Sequence, residues 1–296
     1  MPLNFEKLHP LFVAEVTGVD LRQTIDDETL SEIQEAFDTH SILIFRDQDI
    51  SDTQQIAFSQ RLGPLERMLK GSMGDGTPIA NLSNVDPETG AVMAPKDKRV
   101  VRNSANMLWH TDSSFKRVPA LASLLSGREV PPEGGETEFA STRAAFADLP
   151  DDRKQGLDAL IVEHSFAYSR GKVDPTMLNQ EQRDEVPPVP HPLIRDNPVN
   201  GQRALYVGSH ASHIFGRPVE EGRALLEELL GWATQPKFCY LHKWRPKDLV
   251  MWDNRCVLHR GRPWDYKHRR VMRRTTVAGD GPTVSDADWS RLAKSA

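Results

Sequence analysis

Only two cysteines, Cys239 and Cys256, occur in the 296 residues. That is too few for a disulfide framework or a thiolate zinc site and suits a reducing compartment, so a cytoplasmic location is expected. Runs of about 18 apolar residues are also missing, and the opening MPLNFEKLHP has no basic segment followed by an apolar one. Neither a membrane span nor an export signal is therefore expected. Excess positive charge is absent too: 42 acidic against 37 basic residues give a formal charge of -5. This offers no electrostatic case for nucleic acid or an anionic membrane. No internal repeat is visible. What is present is 38% hydrophobic content at a length that allows one large domain or two modest ones; with no domain linker marked by a shift in charge or composition, a single domain over residues 1–296 is expected.

Residues 11–19 alternate toward Gly18 and predict a strand entering a turn. Asp26 or Asp27 is placed to cap a helix with Leu30, Ile33, Ala36 and Phe37 on one face, followed by the buried strand SILIF at 41–45. Ser51 and Gln54 have capping-box spacing ahead of Ile56, Ala57 and Leu62, and Gly63-Pro64 stops that helix. Residues 66–106 are rich in Gly, Pro, Asp and Asn with little periodicity, which predicts an active-site loop or lid. Short apolar runs at 120–125, 204–207, 238–241, 249–252 and 271–277 predict strands. A late helix is predicted over 219–232, with Leu225, Leu226, Leu229 and Leu230 on its apolar side. The prolines at 187, 188, 190 and 192 predict a connecting loop. Together these features describe an all-β core with helical decoration.

The segment NMLWHTD sets His110 and Asp112 two residues apart, so on an extended strand both side chains leave the same face. His259, in DLVMWDNRCVLH, offers a third ligand. Two imidazoles and one carboxylate on one face of an octahedron leave three positions, as Fe(II) needs for a cosubstrate and dioxygen. A closed structural zinc site demands a fourth protein ligand instead. Asp253, Asn254 and Arg255 are expected to order the turn leading to His259. In HRRVMRR, at 268–274, strand alternation puts Arg270, Met272 and Arg274 on one face and turns Arg269 and Arg273 to the other. Taken alone, this segment reads as a solvated basic strand or a nucleic-acid patch.

Six blocks spread over nearly the whole chain narrow these readings: LHPLFVAEVTGVDLR, DQDISDTQQIAFSQRLGPLE, NMLWHTDSSF, PPEGGETEF, GSHASH and DLVMWDNRCVLHRGR. In this order they resemble the taurine dioxygenase superfamily of Fe(II)/2-oxoglutarate-dependent oxygenases, and within it the 2,4-dichlorophenoxyacetate (aryloxyalkanoate) dioxygenases. The resemblance implies a double-stranded β-helix (jelly roll), with His110, Asp112 and His259 holding Fe(II). It implies that Arg270 and Thr137 bind the distal carboxylate of 2-oxoglutarate, and that Arg274 binds the anionic group of the primary substrate. Asn106 and His213 are further candidate substrate contacts; His210 belongs to the same GSHASH block, and Trp109 is a candidate core residue. Lys70, Lys96 and Lys98 are weaker candidates for attracting an anion.

The implied reaction hydroxylates the carbon next to the ether oxygen of a small anionic aromatic substrate, consuming 2-oxoglutarate and O2 and releasing succinate and CO2. From 2,4-dichlorophenoxyacetate the remaining products are a phenol and glyoxylate. Homo-oligomers are common in the family and one is expected. Other readings stay open at this point: a taurine or alkylsulfonate dioxygenase, a zinc metallohydrolase using the same three ligands, and a non-catalytic metal-binding jelly-roll module. Arg270 and Arg274 argue against the last two, which have no need of a pair of same-face arginines.

Overall fold

The computed structural model describes residues 2–68 and 76–292, so Lys70 lies outside the described residues. The chain begins with β1 (Asn4–Lys7), β2 (Ala14–Thr17), α1 (Asp27–His40), β3 (Ile42–Phe45), α2 (Asp52–Gln60), β4 (Ile79–Ser83), α3 (Lys98–Ser104) and β5 (Ala120–Glu129). It continues through β6 (Thr137–Ser141), α4 (Thr142–Asp148), α5 (Asp151–Lys154), β7 (Ile161–His164), α6 (Phe166–Gly171), α7 (Gln180–Glu185), β8 (Val189–Pro192), β9 (Ile194–Asp196) and β10 (Arg203–Leu205). The last part holds β11 (Ala211–Ile214), α8 (Val219–Ala233), β12 (Cys239–His242), β13 (Leu249–Asp253), β14 (Val257–Gly261), β15 (Val271–Ala278) and α9 (Asp286–Leu292). The fold is predominantly β with helices around it, and no helix among the described residues is long and apolar enough to cross a membrane.

The main sheet runs β1-β2-β3-β13-β5-β15-β4, and a smaller sheet runs β12-β6-β14. SILIF and LVMW explain themselves in the middle of the main sheet, where both faces are covered and no polar alternation is needed. Leu43, Phe45, Leu249 and Met251 face α1 and α2, meeting Leu30, Ile33, Phe37 and Phe58. Ile42, Ile44, Val250 and Trp252 turn the other way and meet Phe139 and Val257 of the smaller sheet. A separate cluster packs Leu226 and Leu229 of α8 against Phe146, Val162 and Ile214.

Helix α1 forms as its sequence predicts: Asp26 accepts the Thr29 N–H, and Leu30, Ile33, Ala36 and Phe37 are buried. Such a cap contributes about 0.5–2 kcal/mol. Helix α2 has the expected Ser51–Gln54 capping box, and it buries Gln55, Phe58 and Ser59. The reason is polar docking. Gln55 Nε2 donates to the carbonyls of Leu124 (3.0 Å) and Arg273 (3.1 Å), and Ser59 shares a 2.6 Å hydrogen bond with Thr275.

Two loop expectations are replaced by structure. Within 66–106, β4 pairs with β15 as the edge of the main sheet and α3 is capped by Asp97. At 189–192 the proline-rich stretch is β8, an edge strand on β7. A strand with an open edge tolerates Pro190 and Pro192 because no partner there needs their missing N–H.

Candidate metal centre

His110 and His259 face each other across an antiparallel bridge, with His110 N–H donating to His259 O (3.0 Å) and His259 N–H donating to His110 O (2.7 Å). Directly opposed residues project to the same side of a sheet, and the two imidazole centroids lie 4.1 Å apart. The extended segment is short: after Thr111 the chain turns, with Ser113 in the left-handed region at φ 55° and its hydroxyl donating to Glu66 at 2.7 Å. Asp112 nevertheless reaches the same point. One ligand atom from each of His110, Asp112 and His259 lies within 4.8 Å of the others, and all three residues are buried.

Surrounding hydrogen bonds fix two of these groups, His110 and Asp112, in a ligating state. Leu108 O lies 2.7 Å from His110 Nδ1; a carbonyl only accepts, so Nδ1 carries the proton and Nε2 is left with its lone pair. Asn254 Oδ1 accepts the Asp112 N–H (3.1 Å), and Asn254 Nδ2 donates to Ser123 Oγ (3.0 Å), which donates to Asp112 Oδ2 (2.7 Å). Arg274 Nη1 donates to the other carboxylate oxygen at 2.5 Å. Asp253 and Arg255 are buried and paired with each other, and Arg255 also reaches Asp38.

Burial works against the Asp112 carboxylate, but Arg274 beside it, with His259 and His110, holds its pKa down to about 2. Burial also lowers the pKa of His110, which Asp112 opposes, and drives that of His259 well down, with His110 adding to the effect. At neutral pH the three groups are two neutral imidazoles and one carboxylate, the protonation states that bind a divalent ion. This donor set fits Fe(II).

Two cavities open beside these ligands. The smaller is bordered by His259, Thr137, Asn84, Trp264 and Arg270. Arg270 donates from Nε and Nη2 to Gly135 O (3.2 and 3.1 Å) and lies over the Trp264 ring at 5.1 Å. Gly135 permits this approach, since a Cβ there would come within 3.1 Å of Arg270 Nε. No acidic side chain pairs with Arg270 among the described residues. Burial brings its pKa down to about 10, so it remains a cation at neutral pH. Thr137 lies on β6 and accepts a 3.0 Å hydrogen bond from Trp244.

The larger cavity, about 310 Å³, is bordered by His110, Asp112, Phe115, Phe166, Arg170 and His210, among others. Asn106 and Arg274 border both cavities. Arg269 and Arg273 turn away from the cavities, to Glu129 and to Asp52 and Asn81 respectively. Lys98 lines the larger cavity and Lys96 does not. Trp109 packs in the core.

His213 does not line either cavity: it sits on β11 beside Glu163, with Nδ1 3.5 Å from Oε1. His210 faces the cavity in its place, its Nδ1 3.1 Å from Ser114 Oγ. His210 lies in the turn before β11, and the strand shifts register between Ala211 and His213, so the two histidines point to different surroundings. Sequence reasoning gave no part to Arg170, Phe115, Phe166 or Ser123. The HSFAYSR segment carries no spacing motif that singles out its arginine, and the importance of Ser123 lies in a partner eleven residues away.

Three ligands with open space and unpaired positive charge beside them describe an enzyme whose metal takes up reactants, in contrast to a closed structural ion. The chain belongs to the taurine catabolism dioxygenase TauD, TfdA family, matched over residues 4–276, and is accordingly an oxidoreductase of the dioxygenase class. It is 45% identical over 284 residues to the alpha-ketoglutarate-dependent 2,4-dichlorophenoxyacetate dioxygenase of Burkholderia sp. (strain RASC), covering 94% of this chain and 95% of that one. Identity to the protein of the same description from Cupriavidus pinatubonensis is 46% over 278 residues, covering 92% and 96%. The crystal structure of AAD-2 in complex with Mn(II) and N-oxalylglycine is similar at a TM-score of 0.90, with 42% identity over 97% of this chain and 100% of that one.

Proposed function

We propose that the chain is an Fe(II)- and 2-oxoglutarate-dependent dioxygenase of an aryloxyalkanoate such as 2,4-dichlorophenoxyacetate. Its products are a phenol, glyoxylate, succinate and CO2. The whole chain acts as one catalytic domain built on a double-stranded β-helix (jelly roll), and the described residues of the segment 66–106 form a wall or lid over the substrate.

His110, Asp112 and His259 hold the metal, and Arg270 with Thr137 holds the distal carboxylate of 2-oxoglutarate. The observation that carries this reading is Arg270, a part-buried guanidinium with no acidic partner among the described residues, in a cavity that His259 borders. Its fork suits a carboxylate through two parallel hydrogen bonds. Arg274 and Asn106 orient the substrate in the larger cavity so that the carbon next to the ether oxygen faces the metal. His213 has no part in this arrangement. Bound Fe(II), 2-oxoglutarate and dioxygen supply the oxidising chemistry. Because the hydroxylated carbon also bears the ether oxygen, the resulting hemiacetal collapses to a phenol and glyoxylate. Phe115 and Phe166 provide an apolar wall for the ring.

Identities of 45% and 46% to 2,4-dichlorophenoxyacetate dioxygenases favour this substrate class over an alkylsulfonate such as taurine. The test is anaerobic reconstitution with Fe(II) and 2-oxoglutarate, then oxygen with either 2,4-dichlorophenoxyacetate or taurine. Succinate with phenol is expected. Succinate with sulfite moves the substrate to alkylsulfonates, and no succinate above a metal-free control removes the reading.

A further inference from the structure

The cations bordering the larger cavity differ in where their counter-charges lie. Arg274 is joined to Asp112 at 2.5 Å, Lys116 to Glu66 at 2.6 Å, and Arg99 to Asp86 and Asp97 at 2.9 Å. Arg170 has no such partner: among the described residues no acidic side chain pairs with it, and its Nε is buried without a hydrogen bond. A buried cation in that condition is costly unless something else brings the opposite charge.

Its place is well defined. Helix α6 starts at the Ser165 cap, which accepts the Tyr168 N–H at 3.1 Å, and it carries Phe166 and Arg170 four residues apart on one face. The Arg170 guanidinium lies 4.5 Å from the Phe166 ring centroid. Phe166 packs on Phe115 (4.7 Å between centroids), Phe115 on His210 (4.9 Å), and His210 on the ligand His110 (6.2 Å). An aromatic wall thus joins the metal ligands to Arg170. Burial brings the Arg170 pKa down to about 10, with the charges of Arg274 and Arg102 adding to the effect and Asp112 opposing it. Arg170 and Arg274 therefore face the same region as two like charges, with one of them already committed to Asp112.

We propose that Arg170 is a second anchor for the carboxylate of the primary substrate, shared with Arg274, and that it makes the cavity select anions over neutral compounds of the same shape. This rests on the aryloxyalkanoate reading above. A carboxylate between the two guanidinium groups relieves their repulsion and gives the Arg170 Nε an acceptor. The aryl ring then lies along Phe115 and Phe166.

The test is equilibrium binding without turnover, to enzyme loaded with Mn(II) and N-oxalylglycine, of 2,4-dichlorophenoxyacetate and of its neutral amide. Arg170→Gln is expected to weaken binding of the acid by about tenfold or more while moving the amide by less than about twofold. Arg170→Lys, which keeps the charge, is expected to retain the preference for the acid. Where the Gln variant does not fold, Arg170→Met keeps an apolar stem against Phe166 and carries the same expectation. Equal weakening of acid and amide reduces Arg170 to a packing residue and overturns the proposal, as does acid binding unchanged from wild type. Wild-type enzyme that binds neither compound removes the aryloxyalkanoate reading itself, a distinct result.

Discussion

The two sides of the active centre are built on opposite principles. On the metal side, Asp112 is met at its backbone and at both carboxylate oxygens by Asn254, Ser123 and Arg274, and His110 is held through Leu108. On the other side, Arg270 and Arg170 are part-buried cations without acidic partners among the described residues. On the assignment proposed above, the protein fixes geometry where the occupant is one ion and leaves charge uncompensated where the occupant brings its own.

The largest break in this contrast is Asp112→Ala, which removes the charged ligand from the metal side. Turnover is expected to fall to the level of the metal-free protein, with metal content measured after dialysis falling in parallel; retained iron with lost activity contradicts the assignment of Asp112. Asn254→Ala spares the ligands and cuts their support, so metal affinity or activity should fall about 10–100-fold. Titration with Mn(II) followed by electron paramagnetic resonance reads this, and unchanged affinity means that Asn254 serves packing alone.

Arg270→Ala sharpens the reactant side: the KM for 2-oxoglutarate should rise about tenfold or more, with a smaller change for the primary substrate. Arg274→Ala should move the primary substrate most, yet it also strips Asp112 of its 2.5 Å partner, so metal affinity should drop with it. An Arg270 variant that affects only the primary substrate reverses the two roles.

Away from both cavities, His164 is stacked on Tyr206 at 5.0 Å and meets His191 at 5.1 Å, a pair that bears on stability and not on the site. Burial pushes the His164 pKa well down and brings that of His191 to about 3. Between those values and about 6.5 the unfolded chain binds more protons than the folded one, so stability falls as the pH drops below about 6.5. Each such histidine contributes a slope of about 1.4 kcal/mol per pH unit. Urea midpoints from pH 7 to pH 5 measure this, and a flat profile refutes it.

What the sequence disclosed follows the range of the interactions. The Asp26 cap, the Ser51–Gln54 box and SILIF were legible because a few neighbouring residues decide them. The meeting of His110, Asp112 and His259 and the cavity position of Arg270 were legible through motif and spacing. Strand β4 was not, because Ile79–Ser83 becomes a strand only by pairing with Val271–Thr275, far along the chain. The polar face of α2 was hidden for the same reason, its partners being carbonyls of Leu124 and Arg273. His213 was chosen over His210 because a shared motif does not say where the turn ends and the strand begins: His210 lies in the turn before β11, which then shifts register between Ala211 and His213.

The reciprocal bridge between His110 and His259 has a bearing on biogenesis. The two residues lie about 150 positions apart, and closing so long a loop is entropically expensive until other contacts have prepared it. Until His259 has been made, the chain holds only His110 and Asp112 of the three proposed ligands. On that assignment the metal site is completed only when the last third of the polypeptide closes onto the middle.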